Sequence, residues 1–244
     1  HPPPPTTDLY TQVNSSAASD VYKRQIQTSI DVTVEAPCCD HGAMTAFASL
    51  LDTPGVEEVS ELRSRVGFMA YHGGTLEAMT DVIASRAAER SAASLYAVIQ
   101  PEGMRQHLPS IQVRPAESPS LAAFLDHVDI VVTVHGYGRR GLFSSLLLGG
   151  TNRVFADHVG ESLRSTLPAY DIVTDVDAIP KPLRGLHRDN PVNLPRDGGV
   201  QIELPPRVRG SSPLWWDWEG PGLTPHTEAL IEGLADAAAT WRSA

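Results

Sequence analysis

Two kinds of hydrophobic pattern alternate along the chain. Short apolar or β-branched runs predict strands, and longer stretches with apolar residues three or four apart predict amphipathic helices. The predicted strands are residues 30–34, 66–71, 95–99, 130–134, 145–148, 171–174 and 200–204. The predicted helices are residues 76–90, 120–127, 152–167 and a last one that begins at Thr224 and Pro225. This alternation predicts an α/β fold, a three-layer αβα sandwich around a mixed, largely parallel sheet.

The first 25 residues have a different pattern. Four prolines follow His1, and the polar residues after them show no periodicity, which is typical of a flexible segment. Residues 20–25 read Asp-Val-Tyr-Lys-Arg-Gln, which resembles the translated end of a transposon used to prepare sequencing libraries. We therefore expect residues 1–25 to be a disordered, non-native tail and residues 26–244 to form one domain. If so, the native N-terminus and any signal peptide are missing, and localisation stays open with the cytoplasm favoured.

Composition narrows the classes of function. The chain has 244 residues, of which 41% are hydrophobic and 20% charged, as is typical of one globular domain with a sizeable core. No apolar run approaches the roughly 20 residues that span a bilayer, so no membrane-spanning segment is expected. The formal net charge of −10 argues against nucleic acid as a partner, because phosphate binding needs a basic surface. Cys38 and Cys39 are adjacent, so they imply no disulfide framework.

The most informative segment, residues 71–77, reads Tyr-His-Gly-Gly-Thr-Leu-Glu. It joins a predicted strand to a predicted helix, so His72 lies at the carboxyl end of a strand, where ligands gather in α/β sheets. We expect Thr75 to cap the helix and Glu77 to lie in its first turn. A histidine and a carboxylate joined by a turn can converge on one metal ion. Alternatively, His72 is a structural strand-end residue and Glu77 complements the helix dipole.

A second predicted strand ends in the same way, with His135 followed by Gly136. One strand-end histidine is more often structural, but two that are each followed by glycine favour a shared function. Two histidines, a carboxylate and an open fourth position are a ligand set of hydrolytic zinc enzymes. His72, Glu77 and His135 are thus candidates for a zinc site.

The strand predicted at 200–204 has apolar residues at alternate positions, which leaves Gln201 and Glu203 on its other face. On spacing alone, a solvated strand face is the favoured interpretation. The alternative is that Glu203 lies beside the metal, takes a proton from the attacking water and passes it to the leaving nitrogen.

Several short motifs, in this order, carry a resemblance to a known family. They are His-Gly-Gly-Thr-Leu-Glu at 72–77, Val-His-Gly at 134–136, Leu-Gly-Gly-Thr-Asn-Arg at 148–153, and Asn-Pro-Val-Asn at 190–193 leading to Gly-Val-Gln-Ile-Glu-Leu at 199–204. Together they resemble the poly-γ-glutamate hydrolase family of bacteria and phages, which is similar in fold to the zinc carboxypeptidases. The resemblance implies zinc held by His72, Glu77 and His135, and Glu203 as the general acid/base. It also implies hydrolysis of the γ-glutamyl amide bonds of poly-γ-glutamate.

Two departures from the zinc carboxypeptidases limit what the resemblance implies. Four residues separate His72 from Glu77, a wider spacing than in those enzymes, and Arg153 follows His135, whereas their substrate arginines precede the third zinc ligand. Two alternatives therefore stay open. One is a zinc amidase or deacylase that acts on peptidoglycan peptides or N-acyl amino acids, and the other is a catalytically inactive binding module of the same fold.

Candidate substrate-binding residues are arginines, because arginine binds carboxylates in a bidentate manner. The candidates are Arg153, Arg188 and Arg196, with Asn190 and Asn193 as hydrogen-bonding partners. Of these we predict that Arg153 and Arg196 bind substrate together with Asn193; the alternative is that Arg153 lies on a helix surface and the other arginines on a loop. Since the net charge of −10 opposes a polyanion, binding needs a local basic cleft, to which Arg139 and Arg140 can contribute.

Two further features receive no role in this hypothesis. The histidines outside the motifs, His107 among them, are expected at the surface or behind the ligands. The tryptophan-rich stretch at 215–218 is expected to pack on the core rather than to bind substrate.

Overall fold

The computed structural model describes residues 45–242, which belong to one compact unit. The predicted tail, the strand at 30–34 and the cysteine pair lie outside the described residues, and the domain boundary at residue 26 stays a prediction. In chain order the described elements are α1 (Ala46–Leu51), β1 (Glu57–Glu61), β2 (Val66–Gly74), α2 (Thr80–Ser91), β3 (Ser94–Gln100), α3 (Pro119–His127), β4 (Ile130–Gly136), β5 (Ser145–Leu148), α4 (Arg153–Thr166), β6 (Asp171–Val173), β7 (Gly199–Leu204) and α5 (Pro225–Thr240).

The strands form one mixed sheet in the order β1-β3-β2-β4-β7-β5-β6. The central strands β3, β2, β4 and β7 are parallel to one another. At one side β1 pairs antiparallel with β3, and at the other β5 pairs antiparallel with β7 and parallel with β6. The direction of β5 matters for the site, because its carboxyl end lies at the amino ends of the central strands.

Helices cover both faces of the sheet, which confirms the predicted three-layer αβα sandwich. On one face, alternate apolar residues of the strands, such as Val200 and Ile202 of β7, pack against α2, α4 and α5. On the other face, residues such as Met69 and Val131 pack against α1 and α3. The alternation in β7 therefore directs Glu203 towards the α1/α3 layer, away from the larger core that β7 forms with α2, α4 and α5.

Local sequence explains where several elements begin. Ser118, Asn152 and Thr224 each accept a hydrogen bond from a backbone N–H in the first turn of α3, α4 and α5 respectively, as N-cap residues do. The unpredicted strand β1 has four polar residues of five, and it forms because it pairs at the sheet edge, where charged side chains discourage further pairing. None of the helices in residues 45–242 combines the length and the apolar character that crossing a membrane requires.

Candidate metal centre

The candidate site lies where β2 and β4 end side by side. After β2 the chain forms β3, which pairs with one edge of β2, and then β4, which pairs with the other edge of β2. The direction in which strands are added to the sheet therefore reverses between β2 and β4. In open α/β sheets, ligands bind outside the carboxyl ends of the strands at such a point. His72 of β2 and His135 of β4 both lie there, and both are buried.

A β-bulge in β2 determines where His72 points. The pairing register with β3 shifts between Ala70 and Gly73, so β2 carries one extra residue there, and a bulge of this kind redirects side chains. Tyr71 packs in the α1/α3 layer, and Nε2 of His72 lies 2.9 Å from the carbonyl oxygen of Leu108, a core residue of the same layer. Tyr71 and His72 therefore both face the α1/α3 layer, although consecutive residues of a regular strand point to opposite faces. Sequence periodicity carries no signal for this bulge.

Glu77 lies in a turn ahead of α2 and not in the helix. Its backbone N–H donates to the carbonyl oxygen of His72 at 2.9 Å, and α2 begins only at Thr80. The predicted cap at Thr75 is wrong, because its hydroxyl contacts two carbonyl oxygens in the loop after β3 instead. The tight turn brings the Glu77 side chain back towards the strand end that precedes it.

The carboxylate of Glu77 contacts both histidines. Its Oε1 lies 3.0 Å from Nδ1 of His72, and its Oε2 lies 3.2 Å from Nδ1 of His135. The backbone N–H of Gly136 donates to the same Oε2 at 2.8 Å. One potential ligand atom from each of the three side chains lies within 4.8 Å of the other two. Two imidazole nitrogens and one carboxylate oxygen are a donor set found in catalytic zinc sites.

The hydrogen bond behind His72 also fits a metal ligand. A carbonyl oxygen can only accept, so Nε2 of His72 carries the hydrogen that it shares with Leu108. Neutral His72 then presents an unshared electron pair at Nδ1. Metal-binding histidines almost always donate their other ring N–H to a carbonyl, a carboxylate or water in this way. On donor chemistry, the residues present fit a zinc ion.

Electrostatics keep Glu77 ionised. Burial alone would raise the pKa of its carboxyl, but the charge and hydrogen bonding of His135 and His72 outweigh burial and hold that pKa well below its usual range. Burial likewise acts to lower the pKa of His135, and Glu77 more than offsets it, so the pKa of His135 is raised. A carboxyl that binds a metal must be deprotonated, and Glu77 meets that condition.

Glu203 lies beside this cluster and is buried. It is the register partner of His135 across β4 and β7, and only 5% of it is exposed, so the interpretation as a solvated strand face is wrong. Burial raises the pKa of the Glu203 carboxyl to about 7, with a further contribution from Glu77 and an opposing one from His135. A carboxyl with a pKa near neutrality suits proton transfer, although the catalytic role of Glu203 stays a prediction.

Arg209 is a buried residue of the site that the sequence did not indicate. Its guanidinium donates to the carbonyl oxygens of Ala78 and Leu204. A Cβ atom on Gly136 would lie 2.8 Å from Cζ of Arg209, so the guanidinium needs glycine there. Ala78, Gly136 and Leu204 each directly follow a candidate metal or catalytic residue, so Arg209 joins the three segments that position them. An arginine in a Pro/Gly-rich loop has no pattern that would have identified it.

The ring of His107 lies 4.8 Å from that of His72, so this histidine is adjacent to the candidate metal ligands. Burial lowers the pKa of His107, and the neighbouring His72 lowers it further.

Of the tryptophans, Trp215 packs against His226 with ring centres 4.7 Å apart, whereas Trp216 is 78% exposed. The prediction that this stretch packs inward is therefore wrong for Trp216.

The three predicted substrate-binding residues do not join the cluster. Residues 149–152 run antiparallel to β7 back to its first residue, which places Arg153 at the amino edge of the central strands. There its guanidinium donates to carbonyl oxygens of residues 148, 150 and 174. Asn193 contacts backbone groups of adjacent loops, and Arg196 pairs with Asp129, directly before β4. Each has a structural partner at the edge opposite the two histidines, so their placement does not support the predicted role.

Comparison with known proteins connects this fold to a family. A family model described as poly-γ-glutamate hydrolase matches residues 45–212, more than half of the chain. A bacteriophage poly-γ-glutamate hydrolase of known structure has a TM-score of 0.64 at 20% identity, over 78% of this chain and 91% of that one. The zinc-free apo structure of a protein named YNDL has a TM-score of 0.58 at 20% identity, over 75% and 88%. These likenesses show a shared fold. Among proteins with curated descriptions, none matches significantly.

Proposed function

The chain belongs to the poly-γ-glutamate hydrolase family, and we propose that it is a zinc-dependent enzyme that hydrolyses γ-glutamyl amide bonds of poly-γ-glutamate. One observation carries this proposal: His72, Glu77 and His135 place a zinc-type donor set within 4.8 Å, beside a buried glutamate on the neighbouring strand. A protein with the same fold is described in a zinc-free form, which supports zinc as the metal.

Each of the three ligands has a defined role. His72 and His135 offer their Nδ1 atoms and Glu77 offers a carboxylate oxygen, and the N–H of Gly136 fixes the orientation of that carboxylate. A zinc ion held by two histidines and one carboxylate polarises a scissile carbonyl and lowers the pKa of water.

Glu203 is proposed to move the proton of the reaction. As water attacks the amide carbonyl carbon, the carboxylate of Glu203 accepts a proton from it. The protonated carboxyl then donates this proton to the amide nitrogen while the carbon–nitrogen bond breaks, which yields a carboxylic acid and an amine. The second proton of the water leaves the new carboxylic acid afterwards, so that the final products are a carboxylate and an ammonium group. A pKa of about 7, raised by burial, allows both half-reactions near neutral pH.

Arg139 and Arg140 are better placed to bind the polyanionic substrate than Arg153 and Arg196. They lie exposed in the loop that follows His135, at the carboxyl edge of β4. Within residues 45–242 neither side chain forms an ion pair. The charge of Arg139 also acts to lower the pKa of the Glu203 carboxyl, so the two lie close enough to interact. Exposed guanidinium groups there can bind glutamyl carboxylates despite the net charge of −10.

A metal analysis combined with a substrate panel tests the proposal. Purified protein is loaded with zinc, and release of amines is measured with poly-γ-glutamate, with peptidoglycan stem peptides and with N-acyl amino acids. We expect stoichiometric zinc and cleavage of poly-γ-glutamate alone. Cleavage of only the other two substrates would identify a zinc amidase or deacylase, and a protein without zinc or zinc-restored activity would be an inactive binding module.

A further inference from the structure

A buried row of polar side chains connects the candidate ligand His135 to Glu203. The hydroxyl of Tyr71 lies 3.0 Å from Nε2 of His135 and donates to Oδ1 of Asn190 at 3.3 Å. Nδ2 of Asn190 donates to Oε1 of Gln201 at 2.8 Å, and Nε2 of Gln201 donates to Oε1 of Glu203 at 2.8 Å. All five residues are at most 5% exposed.

The direction of these hydrogen bonds is set at a fixed backbone group. The backbone N–H of Val192 donates to Oδ1 of Asn190 at 3.3 Å, so this atom must be the amide oxygen. Nδ2 of Asn190 therefore points to Gln201, whose oxygen accepts from it and whose own NH2 group is left to donate to Glu203. In the hydrogen bond between Tyr71 and Asn190, Tyr71 is therefore the donor, because the Asn190 oxygen can only accept.

This direction has a consequence at the metal centre. Because the hydrogen of the Tyr71 hydroxyl is directed to Asn190, its oxygen accepts from Nε2–H of His135. His135 is thereby held in the tautomer that leaves an unshared electron pair at Nδ1, the atom that faces Glu77. In His72 the same tautomer is fixed by the backbone carbonyl of Leu108. In His135 it is fixed by the side chains of Tyr71 and Asn190.

The protein also packs tightly around the middle of the row. Gly185 has a φ of +63°, and a Cβ atom at that position would lie 2.6 Å from Oε1 of Gln201. The loop after β6 therefore closes directly onto the Gln201 amide and leaves it little freedom to rotate. The neighbouring positions on this sheet face, such as Met69 and Val131, are apolar. Burying polar side chains among them costs free energy unless the polar groups are hydrogen-bonded, as they are in this row.

We infer that Tyr71, Asn190 and Gln201 are positioning residues that hold His135 in its metal-binding tautomer and fix the Glu203 carboxylate beside it. The inference rests on the proposed function of the same site. It predicts different losses at the two ends of the row. Removing the Tyr71 hydroxyl weakens zinc binding, and removing the Gln201 donor slows turnover without weakening zinc binding.

The test compares Tyr71→Phe and Gln201→Met with Thr133→Val as a matched control. Thr133 is buried on the same sheet face, is the register partner of Gln201, and has a hydroxyl without a hydrogen-bond partner in the described part of the chain. Zinc affinity is measured by competition with a chromophoric chelator, thermal unfolding by calorimetry, and kcat and KM on poly-γ-glutamate at saturating zinc.

We expect Tyr71→Phe to weaken zinc affinity about tenfold to a hundredfold, the usual effect of losing a partner behind a ligand. Gln201→Met should lower kcat at least about tenfold, with KM and zinc affinity near those of the unaltered protein. Combined with Glu203→Gln, it should cause no further loss, because it acts through Glu203. Thr133→Val should change none of these quantities.

Unchanged zinc affinity in Tyr71→Phe, or an unchanged kcat in Gln201→Met, would overturn the inference, as would a further loss in the double variant. If Gln201→Met does not fold, Gln201→Glu preserves the shape and replaces the donor with an acceptor, and it must lower kcat at least as much. A protein that binds zinc but cleaves no poly-γ-glutamate would overturn the proposed function alone, since the Tyr71→Phe comparison needs no substrate.

Discussion

The two edges of the sheet use charged side chains in opposite ways. At the carboxyl edge of the central strands, the carboxyl-edge cluster gathers the buried residues His72, His135 and Glu203 around the half-buried Glu77. The two histidines and Glu77 offer ligand atoms within 4.8 Å of one another. At the amino edge, Arg153 donates to three backbone carbonyl oxygens and Arg196 pairs with two surface carboxylates. The first edge concentrates titratable groups that burial makes costly. At the second edge, Arg153 has hydrogen-bond partners in the backbone and Arg196 has ion-pair partners at the surface.

The difference between the two edges distinguishes residues that hold the backbone together from residues that could bind a metal ion. Arginine hydrogen bonds to backbone carbonyls satisfy groups that secondary structure leaves unpaired, so Arg153 stabilises the turn into α4. Burial and mutual contacts shift the pKa values of Glu77, His135 and Glu203, and such shifts concentrate at functional sites. Two residues in equally suggestive motifs can therefore lie at opposite edges of the sheet and have different kinds of partner.

The largest contrast between the edges is expected in zinc binding. His72→Ala and His135→Ala each remove one of three ligands, so neither variant should retain zinc after dialysis. Arg196→Ala, at the amino edge, should retain it fully. Metal analysis by mass spectrometry checks this, and stoichiometric zinc in either histidine variant would show that the ligand assignment is wrong.

Glu203→Gln tests whether the carboxyl edge carries the proton transfer as well as the metal. The change preserves volume and the packing on the other face of β7, so folding and zinc content should stay near those of the unaltered protein. Turnover should fall by roughly two to four orders of magnitude, the usual contribution of a positioned acid/base group. Zinc and activity falling together would make Glu203 a ligand, and full activity would remove it from the mechanism.

The pH dependence of activity should reflect the buried environment of Glu203. Its carboxyl must be ionised to accept a proton, and burial raises its pKa to about 7, so kcat/KM should fall about tenfold per pH unit below that value. A pH–rate profile recorded at saturating zinc checks this. Activity that stays constant down to pH 5 would mean that the group which accepts the proton has an ordinary carboxyl pKa.

Arg139→Ala should affect substrate binding more than Arg153→Ala. Loss of an exposed guanidinium at the carboxyl edge should raise KM for poly-γ-glutamate about threefold to tenfold, with kcat and zinc content little changed. The effect should shrink as salt is added, because exposed charges are screened. Equal KM values for Arg139→Ala and the unaltered protein would assign substrate binding to other residues.

The smallest effect is expected at the amino edge. Arg153→Met removes hydrogen bonds to backbone carbonyls and should lower the free energy of unfolding by about 1–2 kcal/mol. Activity per folded molecule should stay unchanged. Urea unfolding followed by circular dichroism, together with steady-state kinetics, separates the two readouts, and a raised KM at unchanged stability would restore Arg153 as a substrate-binding residue.

Local sequence was sufficient for the features that depend on neighbouring residues. Periodicity located β2 to β7 within a few residues, and alternation in β7 placed Glu203 opposite the larger core. The helix predicted to begin at Thr224 and Pro225 does begin there, with Thr224 as its N-cap, because a side chain that bonds its own backbone acts over only three residues. The helix predicted at 152–167 corresponds to α4, and Asn152 proves to be its cap. The candidate ligands were visible because both histidines end apolar strands.

Tertiary structure decided the features that depend on residues distant in sequence. The bulge in β2 exists only in its pairing with β3, and the antiparallel direction of β5 sends Arg153 to the edge opposite His135. Arg209 and the row from Tyr71 to Gln201 are recognisable only after the strands are assembled, since their partners come from separate parts of the chain. Periodicity specifies which face a residue occupies; strand order and direction come from long-range pairing, and these determine which residues meet.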